Sequence, residues 1–238
     1  MLTKGILGVI GLFVVLAVAV VVMNVIGGSG GSAGPIPPIG AGAAGATATP
    51  RPSVGPTATT NVGAKPAGCP SAAPAALPAG ETRTVTLTTR LGAIAVQVKA
   101  DLSPLAAGNF VALAECGFYN GVVFHRIVPG FVIQGGDRAG TGAGKEPGYT
   151  IKDEPVTTAY KRGTVAMART PVPNSQGSQF FVVLDDKNSL AQTNTYSIFG
   201  SVTSGMDVVD AIAKMPNTGS GNTAMDPVAM DTVIVSKP

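Results

Sequence analysis

Fourteen residues, Phe124-His125-Arg126-Ile127-Val128-Pro129-Gly130-Phe131-Val132-Ile133-Gln134-Gly135-Gly136-Asp137, leave the chain few folds to choose from. They set an arginine, a glutamine and the only histidine of the sequence among apolar residues. Pro129-Gly130 separates two short strand-like runs, so the stretch predicts two strands meeting at a turn. The step from Arg126 to Gln134 is even. If each run keeps strand alternation and the turn adds no net offset, both side chains share one face. Polar groups set into an apolar wall suit a small ligand or a peptide. They do not yet define a reaction.

Downstream stand Met167-Ala168-Arg169-Thr170 and Asn174-Ser175-Gln176-Gly177-Ser178-Gln179-Phe180-Phe181-Val182. Together with the first stretch they closely resemble the cyclophilin family of peptidyl-prolyl cis-trans isomerases, over about residues 82–237. The resemblance implies rotation about X–Pro bonds in proline-containing peptides and unfolded proteins, with no cofactor and no metal. It places Arg126 where the family keeps its catalytic arginine, with Phe131 and Gln134 beside it. Phe131, Val132, Phe181, Leu190 and Tyr196 match positions lining the family's proline pocket. Gln134, Gln179 and main-chain groups of Ala168 and Arg169 are expected to hold an extended peptide. Val132 stands where many members carry Met, Tyr196 where many carry His, and Ser189 where many eukaryotic members have Trp. The last departure bears on cyclosporin binding rather than on isomerisation. The MART and PNS stretches resemble the bacterial branch.

Amide rotation is slow because the C–N bond has partial double-bond character, with a barrier of about 18–20 kcal/mol. The two X–Pro isomers are nearly balanced, so a catalyst has only to lower that barrier. A guanidinium donating to the proline nitrogen as it pyramidalises, or to the proline carbonyl, favours the twisted amide over either planar form. An apolar pocket helps by desolvating the charge-separated planar form. Neither a nucleophile nor a metal is needed. His125, facing opposite Arg126 by strand alternation, is expected to be structural.

Other motifs read as structure. Gly140-Thr141-Gly142-Ala143-Gly144 lacks the Lys and following helix of a phosphate-binding loop. Asp153 and Glu154 are adjacent on extended chain and point apart, which favours solvated or backbone-capping roles over paired catalysis. Ser178 has no nucleophile-elbow context, and one histidine with two scattered cysteines makes a zinc site improbable.

Gly5 to Ile26 is an uncharged apolar run, long enough at 1.5 Å per residue to cross a hydrocarbon core of about 30 Å. Residues 1–26 are therefore expected to be a single-pass transmembrane anchor in the cell membrane. The competing reading, a cleaved signal peptide, calls for a shorter apolar region and an A-x-A-like site, and none closely follows Ile26. Lys4 on its N-terminal side favours an extracytoplasmic remainder. Residues 27–80, rich in Gly, Ala, Pro, Ser and Thr, are expected to be a disordered linker. Of 16 Lys and Arg, three precede residue 81, leaving 13 against all 13 Asp and Glu. The remainder has no basic stripe, which argues against nucleic acid as a partner.

Residues 81–238 carry the strand and helix signals of one mainly β domain, expected to be monomeric. An antiparallel hairpin is predicted from Thr82, with Val85, Leu87, Ile94, Val96 and Val98 facing the core. Strands follow at 122–127, 131–134, 164–169, 179–184, 197–201 and 232–235. Helices are expected from Ser103-Pro104 to about Glu115, with Ser103 as N-cap, and near 206–214. Many short strands and two helices suggest a closed antiparallel barrel capped by helices, and the resemblance implies eight strands. Cys69 and Cys116 are the only cysteines. Outside a reducing cytosol they are either bridged, or Cys116 is a small buried hydrophobe and Cys69 a free thiol.

Overall fold

The structure, a computed structural model, describes residues 62–193 and 195–237. The apolar run from Gly5 to Ile26 and the linker up to residue 61 lie outside the described residues. Among those described, no helix is long and apolar enough to cross a membrane.

The hairpin forms as its alternation predicts. Strands β1 (Thr82–Thr89) and β2 (Gly92–Lys99) pair antiparallel, with Val85 opposite Val96 and Leu87 opposite Ile94. All five expected core residues are fully buried. Helix α1 (Pro104–Glu115) follows, then β3 (Val123–Val128) and β4 (Val132–Gly135). β5 (Thr164–Met167), β6 (Phe180–Val183), a single-turn α2 (Leu190–Thr193), β7 (Ile198–Ser204) and α3 (Met206–Ala213) come next. β8 (Thr223–Ala229) and β9 (Thr232–Ser236) end the series.

The strands make one antiparallel sheet in the order β8-β3-β4-β6-β5-β7-β2-β1-β9. This corrects the expected closed barrel of eight strands: among the described residues there are nine, in a curled sheet whose ends, β8 and β9, share no ladder. The reason lies at the corner between them. Met230 exchanges backbone hydrogen bonds with β3's side of the molecule (Gly121 N–H to Met230 O, 2.7 Å; Met230 N–H to Val122 O, 2.9 Å). The next residue, Asp231, donates instead to Thr88 O on β1's side (2.7 Å). The two edges are thus joined by a covalent corner in place of hydrogen bonds. β8, the strand beyond the expected set, contains Pro227, which a strand tolerates at a sheet edge, where β8 lies.

Strand alternation sorts the central strands between two apolar layers. Ile133, Val165, Met167, Phe180 and Val182 enter the main core, where Phe110 of α1 packs against Tyr119, Phe180 and Phe199 at centroid distances of 5.1, 5.1 and 4.8 Å. Val132, Ala166, Phe181 and Val183 point the other way and form a second cluster with Tyr160, Leu190 and Ile198. Phe110, Leu113 and Ala114 are buried as expected, and so is most of the rest of α1. Its outer side is covered by residues 75–77, so this end of the expected disordered linker packs on the domain. Leu77 N–H donates to Pro104 O (2.9 Å), and a Cβ on Gly108 would stand 2.3 Å from Ala75 O, so only glycine admits this close approach. Ser103 makes no side-chain capping bond. Glu154 caps the helix instead, accepting from Leu105 N–H and Ala106 N–H at 2.8 Å each.

Candidate active site

On the outer face of the sheet, register alone builds a row across five strands. Arg126 pairs with Gln134, Gln134 with Phe181, Phe181 with Ala166, and Ala166 with Ile198. The row is polar at one end and apolar at the other. A β-bulge between Phe124 and Arg126 makes this possible. It lets both Phe124 and Ile127 enter the main core while Arg126 stays on the outer, half-buried side. The even step from Arg126 to Gln134 therefore does bring the two side chains together, with Arg126 Nη1 donating to Gln134 Oε1 at 3.2 Å.

The polar end continues as a relay. Gln134 Nε2 donates to Gln179 Oε1 (2.9 Å), and Gln179 Nε2 to the Gly142 carbonyl (3.1 Å). Each glutamine is held at both ends of its amide. Gly142 belongs to the glycine-rich loop, and the structure shows what those glycines bind. The buried Asp137 carboxylate accepts from the N–H groups of Thr141, Gly142 and Gly144 at 3.0, 2.7 and 3.3 Å, and from Ala139 N–H at 3.1 Å. The loop is an anion nest filled by the protein's own carboxylate. A Cβ on Gly144 would lie 2.0 Å from Asp137 Oδ1, which is why no larger residue fits there.

The apolar end gathers Phe131, Val132, Phe181, Leu190 and Tyr196 into one cluster. Phe181 and Tyr196 meet edge to face at 5.4 Å. Tyr160, which sequence reasoning missed, fixes Tyr196: its hydroxyl donates to Tyr196 O (2.8 Å) and accepts from Tyr196 N–H (3.0 Å). Burial pushes the Tyr160 hydroxyl pKa up, so it remains a donor. No local motif marks Tyr160, because its partner lies 36 residues away.

Beside the row lies a cavity of about 440 Å³ that Gln134, Ala168, Arg169 and Gln179 line together with the glycine loop. Ala168 N–H donates to Gln179 O (2.9 Å). Arg169 pairs with Asp153 (3.0 Å). Tyr149, its hydroxyl pKa pushed up to about 12 by burial, closes one side and donates to Asn109 Oδ1 (2.8 Å). Asp153 and Glu154 point apart as expected, one to Arg169 and the other to the start of α1.

His125 departs from its expected placement. The bulge keeps it from turning to the opposite face: it is buried, yet it lines a smaller cavity of about 340 Å³ with Arg126, Gln134 and Gly142. Neither ring nitrogen makes a hydrogen bond of normal geometry. Burial lowers its pKa, and the Asp137 carboxylate and the Val123 backbone offset only part of that, with Arg126 lowering it further. A neutral imidazole next to the guanidinium leaves Arg126 as the charged donor of the site.

The arrangement offers a guanidinium and two oriented amides alongside an apolar floor.

Comparison with known proteins agrees with that geometry. The family model for cyclophilin type peptidyl-prolyl cis-trans isomerases matches residues 84–236. A peptidyl-prolyl cis-trans isomerase of Acinetobacter baylyi is 40% identical over 156 residues, covering 63% of this chain and 83% of that protein. The Arabidopsis thaliana isomerase CYP18-1 is 38% identical over 156 residues, covering 63% and 94%. A crystal structure of a Cryptosporidium parvum cyclophilin type isomerase superposes with a TM-score of 0.60 at 30% identity, covering 66% of this chain and 99% of that one. The same kind of protein solved in the presence of the dipeptide Ala-Pro gives 0.59 at 31%, covering 65% and 99%.

Proposed function

Because the chain belongs to the cyclophilin family and is a peptidyl-prolyl cis-trans isomerase, we propose that it turns X–Pro bonds of unfolded proteins while tethered at the cell membrane. The observation that carries the site assignment is the cross-strand row that sets Arg126 and Gln134 beside Phe181. The proline ring sits on Phe131, Val132, Phe181, Leu190 and Tyr196, out of water, where the planar, charge-separated amide loses solvation. Arg126 donates to the proline nitrogen as it pyramidalises or to the carbonyl that orients it, a bond stronger in the twisted state than in either planar one. Gln134 holds Arg126 in place and offers its amide to the substrate backbone. Gln179 and the main chain at Ala168 and Arg169 hold the flanking residues. An extended Ala-Pro segment, the dipeptide present with the Cryptosporidium structure, is the smallest ligand of this kind.

A protease-coupled assay on an Ala-Pro peptide tests the reaction. Turnover that disappears in Arg126→Ala supports the assignment; binding without turnover in the unaltered protein would make the domain a holding module instead. Acceleration of a proline-limited refolding reaction checks the folding role.

The membrane part of the reading rests on the apolar run from Gly5 to Ile26 and on Lys4 before it. The extracytoplasmic placement agrees with a bridged Cys69–Cys116 pair, since disulfides persist in oxidising compartments. Protease treatment of intact cells, followed by fractionation, checks both: an exposed, membrane-bound domain is the expected result, and a protected or soluble one ends the proposal. Sedimentation in detergent is expected to give a monomer.

A further inference from the structure

Beyond the isomerase site, one contact network joins the arm before β1 to the loop that holds Gln179. Arg138 follows directly on Asp137 and is 5% exposed. Its guanidinium donates to the carbonyls of Val62 (2.9 Å), Gly63 (3.2 Å) and Ala64 (2.9 Å), and to Phe118 O (2.5 Å), while its own carbonyl accepts from Val62 N–H (3.2 Å). The same guanidinium lies over the Phe118 ring, 5.4 Å from its centroid. At the other end of the loop, Lys65 Nζ donates to Pro147 O (3.1 Å) and to Pro70 O within the arm (2.7 Å). The arm is itself fixed to the end of α1 by the Cys69–Cys116 disulfide, with Cα atoms 5.1 Å apart.

The loop between these two anchors is the one folded around Asp137, and its Gly142 carbonyl receives Gln179. Charge-assisted hydrogen bonds are roughly twice as strong as neutral ones, and a buried guanidinium that loses its acceptors is costly. Residues 62–65 therefore cannot leave without disturbing Arg138, and Arg138 cannot shift without moving Asp137 beside it.

We propose that residues 62–70 brace the peptide-binding loop, with Arg138 and Lys65 as positioning residues for the isomerase reaction. The Cys69–Cys116 bridge sets how firmly Gly142 holds Gln179, and through Gln179 how Gln134 orients Arg126. This rests on the isomerase site described above.

The test uses the full chain in four forms: the unaltered protein before and after a phosphine reductant, the Cys69→Ser/Cys116→Ser variant, Arg138→Met and Arg138→Lys. Amide hydrogen exchange is read at residues 139–144 together with kcat/KM on the Ala-Pro peptide. A geometric loosening at a site of this kind is expected to lower kcat/KM by about tenfold. Exchange at 139–144 should rise with it, while that of the main-core strands stays slow, and Arg138→Lys should fall between Arg138→Met and the unaltered protein. Reoxidation of the reduced protein should restore both readings. If residues 62–70 exchange faster after reduction but 139–144 and kcat/KM do not change, the brace is overturned. Should Arg138→Met fail to fold, the reduced unaltered protein decides the matter. An untreated protein with no turnover would count against the isomerase reading, and the exchange data would still decide the brace.

Discussion

Arg126 stands at the polar end of the row, and Gln134, its cross-strand partner, joins it to Phe181. Arg126→Ala is expected to leave the circular dichroism spectrum and melting temperature nearly unchanged, because the side chain is half-buried and holds one long hydrogen bond to Gln134. It should lower kcat/KM by about 100- to 1000-fold, the range typical of a lost preorganised donor. His125 gives a second test. Its folded-state pKa is lowered by burial, so below the ordinary value of 6.5 the unfolded chain takes up a proton that the folded ring resists. Stability from this group is present above pH 6.5 and is lost as the pH falls toward the folded pKa. Glu146, raised by burial, acts in the opposite sense, favouring the folded state as the pH drops toward 4.5. Both proteins of a comparison share it. Urea midpoints between pH 7.5 and 5 should therefore fall less steeply in His125→Gln than in the unaltered protein. At this scale the sequence supplied the residue types and the family resemblance that single out Arg126, Gln134 and Phe181, which the strand register sets side by side. It did not reveal Asp137, Arg138 or Tyr160 as organisers, because each acts on backbone groups whose positions only the folded chain defines.

Elements were legible wherever one local signal decided them. The hairpin of β1 and β2 follows from alternation and a turn, and α1 begins at its proline as expected. The bulge at His125 was not legible, because register is a property of two strands and the second is chosen by packing. The helix cap shows the same limit: Ser103 has the right side chain in the right place, yet the acceptor is Glu154, 49 residues away from Leu105. Glu154→Ala strips two N–H groups at the start of α1 of their partner. It is expected to destabilise the domain by about 1–3 kcal/mol, seen as a lower urea midpoint with an unchanged slope. Glu154→Gln, which keeps one acceptor oxygen but loses the charge opposite the helix dipole, should fall in between.

For the whole molecule, residue types alone left open a bridge or two thiols, and the structure joins Cys69 to Cys116 across 47 residues. In the chain-entropy view a loop of that size stabilises by at most about 4 kcal/mol. Reduction is expected to lower the urea midpoint by some part of this, and an unchanged midpoint would show that the arm contributes nothing to stability. The closed barrel was a reasonable expectation from many short strands, but closure depends on where one strand hands over its partners, here at Met230 and Asp231. That corner has a consequence for how the chain reaches its fold. β1 is paired on both sides only when β9 arrives, and the paired residues Thr84 and Ser236 are 152 positions apart. Contacts this distant in sequence make a search slow, since loop closure comes before any reward. During synthesis β1 waits with one edge unpaired until the ribosome has passed residue 236. The Cys69–Cys116 pair needs only the first half of the domain and is able to close first, shortening the search that remains.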